Sequence, residues 1–192
     1  GFSDQVRMAP REFLPRWGYQ VVLDYSFNPA TENFSDLISL YGRAYLPGIV
    51  RPHAVSIALN YQTSIGGFKT PDGRTMLTYK STRLIPTGYS SDSILSDHYS
   101  AMSLAYQLPI WYPEGGIPSV IYFKRLRLNL GFDYAQFKVG RNWRRLYSWG
   151  GDLLFDINLF RQPASATSTL KLSIYKPRHG SLWIGGGIGL PF

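Results

Sequence analysis

The stretch Gly180-Ser181-Leu182-Trp183-Ile184-Gly185-Gly186-Gly187-Ile188-Gly189-Leu190-Pro191-Phe192 carries a period of two. Leu182, Ile184, Ile188, Leu190 and Phe192 share one parity, while Gly185, Gly187, Gly189 and Pro191 share the other. Successive side chains of a strand point to opposite faces, so the pattern predicts a strand with one apolar face. Phe192 is the last residue, and Ile188 and Leu190 lead to it on the same face.

The same alternation recurs back along the chain. Ser168–Lys176 sets Leu170, Leu172 and Ile174 against Thr169, Lys171, Ser173 and Tyr175. Leu146–Phe160 sets Leu153, Phe155, Ile157 and Leu159 against Asp152, Asp156 and Asn158. In Val120–Phe137, Leu126, Leu128, Leu130, Phe132 and Tyr134 oppose Arg125, Arg127, Asn129, Gly131 and Asp133. Ser100–Ile110, His53–Thr63, Phe34–Leu46 and Trp17–Phe27 repeat the pattern, and no helical period interrupts them. Turn residues separate the runs, as in Asn28-Pro29, Pro47-Gly48 and Pro113-Glu114-Gly115-Gly116.

The expected fold is therefore all-β: an antiparallel up-and-down sheet of eight strands over 17–192, preceded by a lead-in over 1–16. Closing such a sheet into a barrel leaves no unpaired edge. Residues 64–97 show no period and hold Gly66-Gly67, Pro71-Asp72-Gly73 and Pro86, which predicts one long outer loop. Connections of that length are uncommon and usually functional or disordered.

Composition narrows the function classes. The 192 residues suffice for one domain with a real core. The absence of Cys removes disulfides, thiol catalysis and zinc-thiolate sites. No apolar run approaches the ~20 residues of a membrane-spanning helix, whereas a spanning strand needs only about 9 to 11. The absence of a charged-then-apolar leader or an initial Met predicts a mature chain or a piece of a longer one. A net charge of +8 raises nucleic acid as a partner, but the basic residues form no single stripe and gather in connections, which argues against it.

Alternation alone does not say whether the apolar face meets a core or lipid. The opposite parity carries Asp24, Arg43, Arg125, Arg127, Asp133, Asp152, Asp156 and Lys171, four of each sign, as suits a polar lumen with compensating charges. Aromatics stand near strand ends, with Tyr25, Phe27, Tyr61 and Tyr134 toward one rim and Tyr19, Trp111 and Phe192 toward the other, the girdle pattern of a transmembrane barrel. Half of the 20 basic residues fall in connections on one side, and Lys138, Arg141, Arg144 and Arg145 there form a rim suited to lipopolysaccharide phosphates.

The order of these features resembles the carboxy-terminal half of the BamA-type surface-antigen outer-membrane β-barrels. In that family a long sixth loop with an Arg-Gly-Tyr or Arg-Gly-Phe element folds into the lumen and is followed by five strands. Here Pro86-Thr87-Gly88-Tyr89 occupies that place, and five strands follow. The family's Phe-x-Asp element, whose carboxylate faces the loop arginine, corresponds to Gly131-Phe132-Asp133, with Gly131 where the family has Phe. Thr87 stands where the family has arginine. A hydroxyl cannot make the bidentate contact of a guanidinium, so that anchoring contact is not expected in that form.

The resemblance implies half of a sixteen-stranded barrel in the bacterial outer membrane, concerned with protein insertion or export. It implies outer-membrane lipid and other envelope proteins as partners, Ile188, Leu190 and Phe192 as a terminal assembly signal, and no cofactor. Two other readings fit the alternation: a free-standing eight-stranded envelope anchor or adhesion barrel, and a soluble small-ligand barrel with its apolar parity inward. In a closed eight-stranded barrel the interior is just wide enough for its own side chains, so the long loop is expected outside it.

Enzymatic chemistry has little support. His53, His98 and His179 lie on separate segments, which gives a metal site no basis. Asp97 and His98 are neighbours on a predicted strand start and point to opposite faces, poorly placed to act together. Gly185-Gly186-Gly187 precedes no helix and is no phosphate loop. Glycines on that face are expected to allow close approach of strands or a bend at the seam.

Overall fold

The runs that alternate in sequence form strands in the computed structural model, which describes residues 1–5, 14–27, 36–65, 84–90, 96, 98–117, 120–139, 142–159 and 167–189. The strands are β1 (Phe2–Gln5), β2 (Gly18–Ser26), β3 (Asp36–Pro47), β4 (Ala54–Ile65), β5 (His98–Trp111), β6 (Gly115–Ile117), β7 (Ile121–Val139), β8 (Asn142–Leu159), β9 (Ser168–Pro177) and β10 (Trp183–Gly189). No helix occurs among the described residues, and none is long and apolar enough to cross a membrane.

All ten belong to one antiparallel sheet in the order β1-β2-β3-β4-β5-β7-β8-β9-β10, with β6 paired to β7. Each long strand is hydrogen-bonded to its neighbours in sequence, the up-and-down arrangement that alternation and short turns predict. The first and last strands, β1 and β10, are not paired with each other, so the sheet is open rather than closed.

Ten strands replace the expected eight. β1 arises inside the predicted lead-in and pairs Phe2 with Val21 and Gln5 with Gly18. β6 arises where Gly115-Gly116 reads as turn, and it pairs Ile117 with Ile121. At Gly116 an added Cβ would run into the backbone of Ile121, so only glycine lets these strands approach. β8 begins at Asn142 rather than Leu146, with Val139 opposite Asn142, which places Arg144 and Arg145 on a strand rather than in a connection.

Register sorts the side chains into two faces of opposite chemistry. One row of the polar face runs Gln20, Arg43, Ala58, Ser103, Asp133, Ser148, Pro177, and another runs Gln107, Asn129, Asp152, Ser173, Gly185. The apolar face carries rows such as Leu108, Leu128, Leu153, Leu172. Burial runs opposite to polarity. Asp152, Asp156 and Ser148 are 3%, 1% and 0% exposed, whereas Leu23, Leu59, Leu130, Leu172 and Ile188 are 65%, 54%, 49%, 45% and 68% exposed. The buried apolar cluster, Tyr99, Ala101, Ala135 and Phe137, also lies on the polar-face parity, with Leu84, Ile85 and Leu146 packed on it.

Candidate functional site

Segment 84–90 of the predicted long loop lies on the polar face. The expectation that the loop stays outside applied to a closed eight-stranded barrel, and the sheet here is open, with its polar face accessible to this segment. Pro86 through Tyr89 form a tight turn in which Tyr89 N–H donates to the Pro86 carbonyl at 3.1 Å. Gly88 supplies the positive φ of 90° that the third position of such a turn requires. The turn presents Thr87 to the sheet.

Thr87 donates twice to Asp133 Oδ2, through its backbone N–H at 3.1 Å and its hydroxyl at 2.8 Å. Ser103 Oγ donates to Asp133 Oδ1 at 2.7 Å, and Ser148 Oγ lies 3.5 Å from Oδ2. Asp133 stands six residues before the end of β7, so the turn reaches roughly 20 Å along the strand from that end, at about 3.3 Å per residue. The carboxylate predicted to lose its arginine partner thus holds the loop through neutral donors. Two contacts converge on it, as with a guanidinium, but one comes from the backbone.

The segment is fixed at both ends of this short stretch. Tyr99 hydroxyl donates to the Leu84 carbonyl at 2.8 Å, and Leu84 holds a positive φ of 55°, a region costly for a bulky side chain. Tyr89 hydroxyl donates to the Tyr147 carbonyl at 3.4 Å and accepts from the His179 N–H at 3.3 Å. The added Cβ of any residue replacing Gly88 would meet Trp183 Cβ at 3.3 Å.

The predicted charge network divides into groups. Asp156 takes both Arg125 and Arg127, the latter through Nη2 at 2.8 Å, and accepts from Thr169 Oγ1 at 2.8 Å. Asp152 accepts from Asn129 Nδ2 at 2.7 Å and Tyr175 hydroxyl at 3.3 Å, with Lys171 Nζ at 3.1 Å. Arg43 lies over the Tyr41 ring at 5.8 Å and donates to Tyr45 hydroxyl at 3.5 Å. Asp24 sits on the same face of β2, and three strands separate β2 from β7.

Tyr175 explains the glycine found at 131. Gly131 pairs with Gly150, and Gly150 with Tyr175, so the Tyr175 ring lies across both glycines. A Cβ at 131 would stand 2.5 Å from the Tyr175 hydroxyl, and one at 150 would stand 2.8 Å from its Cγ. Trp183 continues the row with its ring 6.5 Å from that of Tyr175, and Gly185 leaves space for the Trp183 indole. Gly187 has no neighbour within 4 Å of an added Cβ, so close approach accounts for Gly185 but not for Gly187.

At the rim, Lys138 lies on β7, Arg144 and Arg145 lie exposed on β8, and Arg141 falls outside the described residues. Of the terminal signal, Ile188 lies on the exposed apolar face of β10, and Leu190 and Phe192 fall outside the described residues. Asp97 is likewise outside them, while His98 Nδ1 contacts Thr63 Oγ1 at 2.8 Å. No cluster of three potential metal ligands occurs among the described residues. Ser103, Ser148, Tyr99 and Tyr175 complete the site without any sequence signal beyond parity, since register alone brings them to Asp133 and to the glycines.

No protein family, curated protein or solved structure matches the chain.

Proposed function

We propose that the chain is a transmembrane β-barrel segment of the bacterial outer membrane, with the apolar face in lipid and the charged face lining a lumen that holds the 84–90 turn. Its role is non-enzymatic, as the half-barrel of a protein insertion or export machine. The observation that carries this reading is the inversion of burial, with Asp152 and Asp156 at 3% and 1% exposure on one face and Leu23, Leu130, Leu172 and Ile188 at 65%, 49%, 45% and 68% on the other. Burying such a side chain is worth about 1.5 to 3 kcal/mol, so leaving many of them half exposed in water forfeits on the order of 10 kcal/mol. That is comparable to the whole stability of a domain, about 5 to 15 kcal/mol. In lipid the same face carries no such cost.

The soluble small-ligand reading requires the opposite arrangement, with the apolar parity enclosed and the charges in water. The docked turn supports a lumen function, since a segment held on the charged face partly occupies the path along it. Among the described residues β1 and β10 each pair on one side only, and such edges are open to a further strand.

Leu128→Arg tests the lipid assignment, because Leu128 lies within the apolar row between Leu108 and Leu153. Near mid-membrane it is expected to cost about 2 to 4 kcal/mol in reversible unfolding from bilayers. A near-neutral result contradicts the assignment.

A further inference from the structure

A cleft of about 510 Å³ opens where the docked loop meets the end of β7, the start of β8 and the β9–β10 connection. Arg144, Arg145, Arg178 and His179 line it, and Tyr89, Phe137 and Leu146 form its apolar wall. Arg144 pairs with Phe137 and Arg145 with Gln136 on adjacent positions of β8, so the two arginines arise from opposite parities. They therefore do not form one lipid-facing band. Together with Arg178 and the loop tyrosine they instead surround a common space.

We propose that this cleft binds a phosphate-bearing ligand, with the phosphoryl group among Arg144, Arg145 and Arg178 and the ligand's apolar or ring portion against Tyr89, Phe137 and Leu146. Three features point to this chemistry. Among the described residues, Arg144 and Arg145 have no acidic partner, so their charge is available to a ligand. The Arg178 guanidinium lies 5.3 Å from the centre of the Tyr147 ring, and its backbone N–H donates to the Tyr147 carbonyl at 2.9 Å. A planar guanidinium is suited to a bidentate contact with phosphate. Finally, Phe137 is 4% exposed in this setting, which gives the site a dry wall beside its charges.

The site includes the loop. Tyr89 lies in the cleft wall on the same turn that anchors Thr87 to Asp133, and its hydroxyl bridges Tyr147 and His179. Ligand occupancy and loop docking are therefore linked, each favouring the other.

The test uses the whole chain refolded in zwitterionic detergent, titrated with inorganic pyrophosphate by calorimetry. A second arm uses phosphatidylcholine nanodiscs with and without lipid A. Saturable binding is expected, weakened at least about tenfold in Arg144→Gln/Arg178→Gln, since one charge-assisted contact is worth about that factor. It is expected to be unchanged in Arg51→Gln, an exposed arginine in the β3–β4 connection at the opposite end. Pyrophosphate binding with this pattern identifies a free phosphorylated ligand, and binding only to lipid A nanodiscs identifies a lipid headgroup. Absence of binding in both arms, or equal loss in Arg51→Gln, overturns the proposal. If the double variant does not fold, Arg178→Gln, which lies outside the strands, must still weaken binding about tenfold. The pyrophosphate arm does not depend on lipid contact at the apolar face, so its failure is distinct from failure of the membrane reading.

Discussion

Replacing Thr87 by Val removes one of the two bonds from residue 87 to Asp133 while keeping the side chain's shape. The hydroxyl at 2.8 Å from Asp133 Oδ2 is lost, and the backbone N–H at 3.1 Å remains. Hydrogen bonds to a charged group contribute about 1.5 to 3 kcal/mol. Ser103 still donates to Asp133 at 2.7 Å, so the carboxylate stays satisfied and the lower figure applies. Docking is therefore expected to weaken by about 1.5 kcal/mol, roughly tenfold. Asp133→Ala removes both bonds to residue 87, and the expected loss is about 3 kcal/mol, on the order of 100-fold. Amide exchange followed by NMR in micelles reads this directly, because the N–H of residue 87 is protected only while bonded to Asp133. Its exchange should accelerate about tenfold in Thr87→Val and about 100-fold in Asp133→Ala, with the Leu128 amide on β7 unchanged. Unchanged exchange at residue 87 in both variants would refute the claim that this contact holds the loop.

Tyr175→Ala opens a trench over Gly131 and Gly150 and is expected to destabilise the sheet by about 3 kcal/mol in urea unfolding. Gly131→Phe places a side chain where the Tyr175 ring already lies, so it should destabilise alone and be partly rescued by Tyr175→Ala; additive losses would contradict the shared space. Asp156→Asn leaves Arg125 and Arg127, at 11% and 13% side-chain exposure, without their anion. A loss of about 3 to 5 kcal/mol in the same assay is expected, and a loss under about 1 kcal/mol would mean that the pair is neutral to stability.

Parity was legible in the sequence because it depends only on neighbours along one strand. Leu128 and Asp133 fall on their faces by counting, and β7 and β8 follow from long uninterrupted alternation. The short strands were not legible. Phe2–Gln5 is too brief to show a period, and Gly115–Ile117 carries turn residues. Contacts across strands depend on register, which alternation leaves free, so the seating of Tyr175 on Gly131 and Gly150 has no local signature. The anchoring at Thr87 illustrates a different limit. Residue identity reports the missing guanidinium, but the backbone N–H that supplies the second bond belongs to every residue except proline. The family resemblance alone set Asp133 opposite the loop element, and with Thr87 in the arginine's place it led to no expected anchor there.

The most direct test of the lipid-facing claim is quenching of Trp149, which pairs with Phe132 and is 60% exposed on the apolar face. In a variant with Trp17, Trp111, Trp143 and Trp183 changed to Phe, the protein would be reconstituted in bilayers with brominated acyl chains. Strong quenching of Trp149 by the bromine and little quenching by aqueous iodide are expected. Efficient quenching by iodide, with no effect of the brominated chains, would contradict that claim.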